Sequence, residues 1–137
     1  QNKEKLTIET MEHMAKLARE NNISIASHDD DSIEKIDFVK GLGAKISEFP
    51  ITLEIAKKAK KEGLYTIAGA PNILLGGSHS GNLSAADAIL ENAIDILCSD
   101  YYPAAMLHSL FILNEKYGQD LCEMFKLVTI NPAKAVN

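Results

Sequence analysis

Four short apolar runs, each followed by a segment of helical spacing, constrain this chain more than any other feature. The runs are Ile23 to Ser27, Ala44 to Phe49, Leu64 to Ala68 and Ile94 to Ser99. A helix over Thr7 to Asn21 precedes them, with Ile8, Met11, Met14, Ala15 and Ala18 near a 3.6-residue period. Asp31 and Ser32 offer caps for a second helix that ends at Gly43. Pro50 interrupts the second strand, and a helix over Thr52 to Glu62 follows, closed by Gly63. The third strand leads into a long loop, Gly69 to Leu83, before Ser84-Ala85-Ala86-Asp87 opens a helix to about Asn92. Pro103 suits the start of a helix to about Tyr117, and Leu121 to Val128 and Pro132 to Val136 read as shorter terminal helices. Such alternation implies a parallel sheet with right-handed crossovers.

Two architectures fit this order: a small open doubly wound sheet, and half of an eight-stranded βα barrel. A whole barrel needs roughly 250 residues, and this chain has 137. Strand side chains alternate between faces, which groups Ser24, Ala26 and His28; Ala44, Ile46 and Glu48; and Ile96, Cys98 and Asp100. Each group runs from small or apolar residues to a functional one at the strand end, as a barrel interior requires. The half-barrel is favoured.

Composition narrows the function classes. Hydrophobic residues make up 46%, enough for a real core, and the net charge is −5. A net negative chain lacks the basic patch that nucleic-acid or anionic-membrane binding normally needs. No apolar run approaches the ~20 residues of a membrane span, and Gln1 to Thr10 is polar and mixed in charge, unlike a signal peptide. Cys98 and Cys122 make no disulfide framework, so a reducing cytoplasm is the expected compartment.

Functional residues in βα folds gather where strands end. His28 closes the first strand, with Asp29 and Asp30 directly behind it. Neutral imidazole is a ligand for zinc or a similar divalent ion. Asp29 is placed to orient His28 or to touch substrate, whereas Asp30 reads better as a helix cap. Glu48 ends the second strand as a metal or substrate ligand, or as a solvated strand end. Asp100 follows the fourth strand, where a carboxylate can bind metal, accept a proton from an attacking water, or cap the helix near Pro103. The loop from Gly69 to Asn82 is dense in donors: Gly77, Ser78, His79, Ser80 and Asn82 fit a phosphate-binding or lid role, with Leu74 and Leu75 as apolar anchors. His13 and His108 read as surface or structural residues. Lys57, Lys58, Lys60 and Lys61 read as a solvated helix face.

Taken together, Ala26-Ser27-His28-Asp29-Asp30, Glu48-Phe49-Pro50, Gly69-Ala70-Pro71-Asn72, Gly76-Gly77-Ser78-His79-Ser80-Gly81-Asn82, Ser99-Asp100-Tyr101-Tyr102-Pro103 and the ending Thr129-Ile130-Asn131-Pro132-Ala133 resemble the amidohydrolase superfamily, and within it the diphosphatases of phosphonate breakdown. The resemblance implies an α/β fold of parallel βα units, the C-terminal half of a TIM-type barrel, with residues 1–137 as one partial barrel domain. It implies a divalent metal, zinc or manganese. The reaction implied is hydrolysis of a ribose triphosphate carrying a methylphosphonate, with release of pyrophosphate. On this resemblance His28 matches the metal-binding histidine of the fifth barrel strand, and Asp100 the aspartate of the eighth, as ligand and proton acceptor. The superfamily's first-strand His-x-His is absent, and Glu48 stands where many members carry a histidine, with His79 the other candidate for that role. Half a barrel leaves sheet edges unpaired, so self-association is expected, as is inactivity of the chain alone. Another superfamily hydrolase acting on C–N bonds, or a non-catalytic anion-binding βα module, would share the strand-end residues.

Overall fold

The computed structural model describes residues 7–76 and 83–136. The elements run α1 (Ile8–Glu20), β1 (Ala26–His28), α2 (Ile33–Gly41), β2 (Ile46–Glu48), α3 (Leu53–Lys61), β3 (Tyr65–Gly69), α4 (Ala70–Leu74), α5 (Ala85–Leu90), β4 (Ile96–Cys98), α6 (Ala105–Tyr117), α7 (Leu121–Lys126) and α8 (Ile130–Val136). The four strands form one parallel sheet in sequential order, β1-β2-β3-β4. Sequential order is what a barrel wall has; a doubly wound sheet reverses direction at a switch point.

Local chemistry fixes the element ends. Ser32, Thr52 and Ser84 accept hydrogen bonds from the backbone N–H three residues on, which starts α2, α3 and α5. Each turn that leads into a strand repeats one helix-ending motif. Asn22, Gly43, Gly63 and Asn92 take positive φ. The next residue then donates to a carbonyl five positions back: Ile23 to Ala18, Ala44 to Val39, Leu64 to Ala59 and Ala93 to Ala88. This 6→1 bond marks the Schellman motif, which favours glycine or asparagine at the left-handed position.

Register sorts the strand residues into two faces. Ser27 pairs with Ser47, Ser47 with Thr66, and Ala68 with Leu97. These face the helices, and Ala68 and Leu97 join the main core with Leu110, Leu113 and Ile89. Full burial of leucines such as Leu97, Leu110 and Leu113 contributes about 1.5–3 kcal/mol each. The opposite face carries Ala26, His28, Ile46, Glu48, Tyr65, Ile67, Gly69, Ile96 and Cys98. Among the described residues its cover lies at the strand-start end, where Ala135 of α8 packs on Ile46 and Ile96 and the Ser24 hydroxyl bonds the Ala135 carbonyl.

Three expectations need correction. Ala44 does not share a face with Ile46: the left-handed turn at Gly43 directs it into the helix-side cluster with Ile36, Ile55, Ala59 and Leu64. The segment after β3 begins as a helix, α4, because Pro71 suits a first turn and Ala70 and Ile73 are buried. Ile73, rather than Leu74 or the exposed Leu75, is its apolar anchor. The lysines of α3 are mostly paired: Lys57 with Glu91, Lys58 with Asp37 and Glu62, and Lys60 with Asp95. His13 and His108 are exposed, as expected.

Candidate active site

The strand ends place His28 and Glu48 side by side. They are register partners on neighbouring strands, so both side chains leave the sheet on the open face. His28 Nε2 lies 3.8 Å from Glu48 Oε2, and His28 Nδ1 lies 3.1 Å from Asp29 Oδ2. With the Asp29 carboxylate near Nδ1, Nε2 is the ring nitrogen that faces the Glu48 carboxylate. Two electron-rich groups that face each other want a cation between them. The 3.8 Å gap is about half an ångström wider than the roughly 3.3 Å that two ligands keep on a tetrahedral zinc. The donor pair therefore fits a divalent ion. Among the described residues no three side chains of His, Cys, Asp or Glu converge on one point, so this pair would not by itself complete a metal site.

Backbone geometry at this edge is unusual. Asp29 (φ 52°), Phe49 (φ 56°) and Asp100 (φ 50°) are left-handed without being glycine. A bulky residue in this region is a genuine outlier, and such outliers gather at functional sites. Phe49 meets the His28 ring edge-on, with centroids 5.2 Å apart and planes at 86°. One strained residue thus forms a wall for the imidazole.

Asp100 stands two strands beyond Glu48, roughly 10 Å away in a flat sheet and less in a curled one. It does not cap α6, whose N-cap is Ala104 without a side-chain bond. Its carboxylate lies over Gly69, where a side chain would be tight: a Cβ there would come within 3.2 Å of Asp100 Oδ2. Gly69 therefore makes room for Asp100. Between the carboxylates sits Cys98, half-buried; burial, first of all, and the charges of Glu48 and Asp100 push its thiol pKa up from 9.0, against hydrogen bonding from the Asp100 backbone. The raised pKa makes this thiol a poor nucleophile.

Asp30 corrects the helix-cap expectation. Ser32 is the cap, and Asp30 is wholly buried. Its Oδ2 accepts from Ser27 Oγ at 2.6 Å and Ser47 Oγ at 2.5 Å. The sequence signal, a second aspartate behind a strand-end histidine, was visible; its direction was not. Lys35 has no motif to betray it. It donates to the carbonyls of His28 and Asp29 at 2.9 and 2.8 Å and lies 3.5 Å from Asp30 Oδ1. Gly77, Ser78, His79, Ser80 and Asn82 lie outside the described residues. The chain on either side of them is pinned by Asn72, whose side chain accepts from the Ala85 N–H and donates to the Leu83 carbonyl.

No protein-family model matches the chain. It is 43% identical over 128 residues, 92% of its length, to the alpha-D-ribose 1-methylphosphonate 5-triphosphate diphosphatase of Escherichia coli (strain K12), and it spans about a third of that relative, 34%. In fold it is similar to A. niger ochratoxinase, known from a crystal structure. That likeness has a TM-score of 0.64 at 18% identity, over 96% of this chain and 35% of the other. Along most of its length, then, the chain is similar to one third of that diphosphatase, on a parallel βα fold shared with part of the ochratoxinase chain.

Proposed function

We propose that His28, Glu48 and Asp100 belong to the active site of a metal-dependent hydrolase that releases pyrophosphate from α-D-ribose 1-methylphosphonate 5-triphosphate. The observation that carries this reading is the facing pair His28 and Glu48 at the strand-end edge, in a chain 43% identical to a diphosphatase for that substrate. His28 Nε2 and Glu48 Oε2 would hold a divalent ion, zinc or manganese. When bound, such an ion polarises a phosphoryl oxygen and acidifies a water. Asp29, 3.1 Å from Nδ1, would orient the imidazole so that Nε2 faces the ion. Asp100, open to solvent at the same edge, accepts the proton of the attacking water. We assign phosphate contacts to Gly77, Ser78, His79, Ser80 and Asn82 by their donors, and a substrate contact to Asp29.

Among the described residues no helix is long and apolar enough to cross a membrane. The free cysteines and the phosphorylated substrate support a cytoplasmic setting. Exposed Ile8, Met14, Leu17 and Ile23, near β1 with its single strand neighbour, support self-association; a well-folded monomer in sedimentation would count against it. The direct test is pyrophosphate release from the triphosphate by the full protein with zinc or manganese, against His28→Ala. Equal turnover by both would refute the assignment. Hydrolysis of an amide or ring C–N bond in place of the triphosphate would move the reading to another reaction at the same site. The 137 residues alone are expected to be inactive, since two ligands do not complete a site.

A further inference from the structure

We propose that Asp30 and Lys35 form the positioning pair that sets His28 and Glu48 at ligand distance; this rests on the reading that those two residues hold a divalent ion. The geometry is unusually direct. One carboxylate oxygen, Asp30 Oδ2, takes the hydroxyls of Ser27 and Ser47. These serines are register partners, and each stands one residue before a candidate ligand: Ser27 before His28, Ser47 before Glu48. Side chains alternate along a strand, so the serines bond behind the sheet while His28 and Glu48 emerge in front. A single buried oxygen thereby fixes the relative height of both ligands from the opposite face.

Lys35 completes the device. Lys35 Nζ donates to the carbonyls of His28 and Asp29 and lies 3.5 Å from Asp30 Oδ1 as an ion pair. Oδ1 is buried and accepts no hydrogen bond, so the lysine charge is what offsets its burial. The two carbonyls belong to the residues on which the site turns, and Asp29 is the left-handed one. A strained residue persists only where its surroundings over-determine it. Lys35 grips both carbonyls, and the Asp30 carbonyl accepts from the Ile51 N–H at 3.0 Å, tying the β1–α2 turn to the β2–α3 turn. Residues behind the ligands commonly change metal affinity by about 10- to 100-fold.

The experiment measures zinc and manganese affinity of the full protein by chelator competition, together with the His28 imidazole ¹⁵N signals of the metal-free protein. Asp30→Asn and Lys35→Met are expected to weaken metal binding by about 10-fold or more and to shift the imidazole signals. Leu110→Ala, a core truncation remote from the site, should lower the melting temperature and move neither readout. If Asp30→Asn fails to fold, as loss of a buried charge partner can cause, Lys35→Met and Ser47→Ala carry the test. Wild-type affinity and unmoved imidazole signals in the folded variants would overturn the positioning role, with His28→Ala still losing metal. Unchanged metal affinity in His28→Ala would instead overturn the metal reading. The imidazole signals alone would then judge the pair: shifted in Lys35→Met they support positioning, unshifted they refute it.

Discussion

At the edge where strands begin, left-handed backbone falls on Asn22, Gly43, Gly63 and Asn92; at the edge where strands end it falls on Asp29, Phe49 and Asp100. Both edges need sharp reversals between strand and helix. The first edge meets the need with residues that tolerate the conformation and bonds the turn through repeated Schellman motifs. The second includes Phe49, for which it costs about 1–2 kcal/mol, beside two aspartates, for which it costs less. That edge also carries His28 and Glu48, and its turns are held by the Lys35 and Asp30 contacts rather than by glycine. The difference teaches where this molecule was shaped for stability and where it gives stability away.

Substitutions at either edge can break this contrast. The largest effect is expected from Asp100→Asn, which removes the proposed proton acceptor and should lower kcat of the full protein by about 10²- to 10⁴-fold, with the melting curve nearly unchanged. A rate within about twofold of wild type would detach Asp100 from the chemistry, given that scale. Gly69→Ala comes next. Its new Cβ would press on Asp100 Oδ2 at 3.2 Å, and a displacement of a few tenths of an ångström should cost roughly 10-fold in rate, since ~1 Å can cost about 10².

Stability separates the edges more finely. Gly63→Ala forces alanine to φ +83° and should cost about 1–2 kcal/mol by denaturant titration, without touching metal affinity. Asp100→Gly relieves a smaller strain at the other edge, because aspartate tolerates the left-handed region. Relief below about 1 kcal/mol against a glycine entropy cost of about 0.5–1 kcal/mol predicts an inactive protein of nearly equal stability. Equal losses from both substitutions would erase the contrast.

The smallest effect concerns Cys98. Its folded pKa is raised above 9.0, so the unfolded chain ionises first as pH rises. Stability contributed by the protonated thiol is therefore full below about pH 9 and declines as pH passes through the folded pKa. Cys98→Ser should flatten that decline slightly. Alkylation at about pH 8, below the ordinary thiol pKa, should proceed faster at exposed Cys122 than at Cys98, which peptide mapping can read.

Much of the fold was legible because its signals are local. Ser32, Thr52 and Ser84 start helices through their own side chains. Gly43 and Gly63 end them by tolerating positive φ. Strand parity put His28, Glu48 and Cys98 on one face, as the register has them. Ala44 escaped the parity argument because a left-handed turn just before a strand resets the direction of the first side chain. Helix α4 was hidden inside a glycine- and proline-rich stretch whose helical part is held by burial of Ala70 and Ile73.

The sequence by itself determined the order of elements, the parallel sheet and the residue types at the strand ends, because caps, turns and alternation act within a few residues. Only the tertiary structure decided which of those residues meet. Asp30 faces backward to two serines that are 3 and 17 residues from it, and Lys35 reaches around a turn to hold the carbonyls beside His28. Hydrogen bonds between elements depend on register and side-chain direction, and these are fixed only when the sheet and its helices pack together.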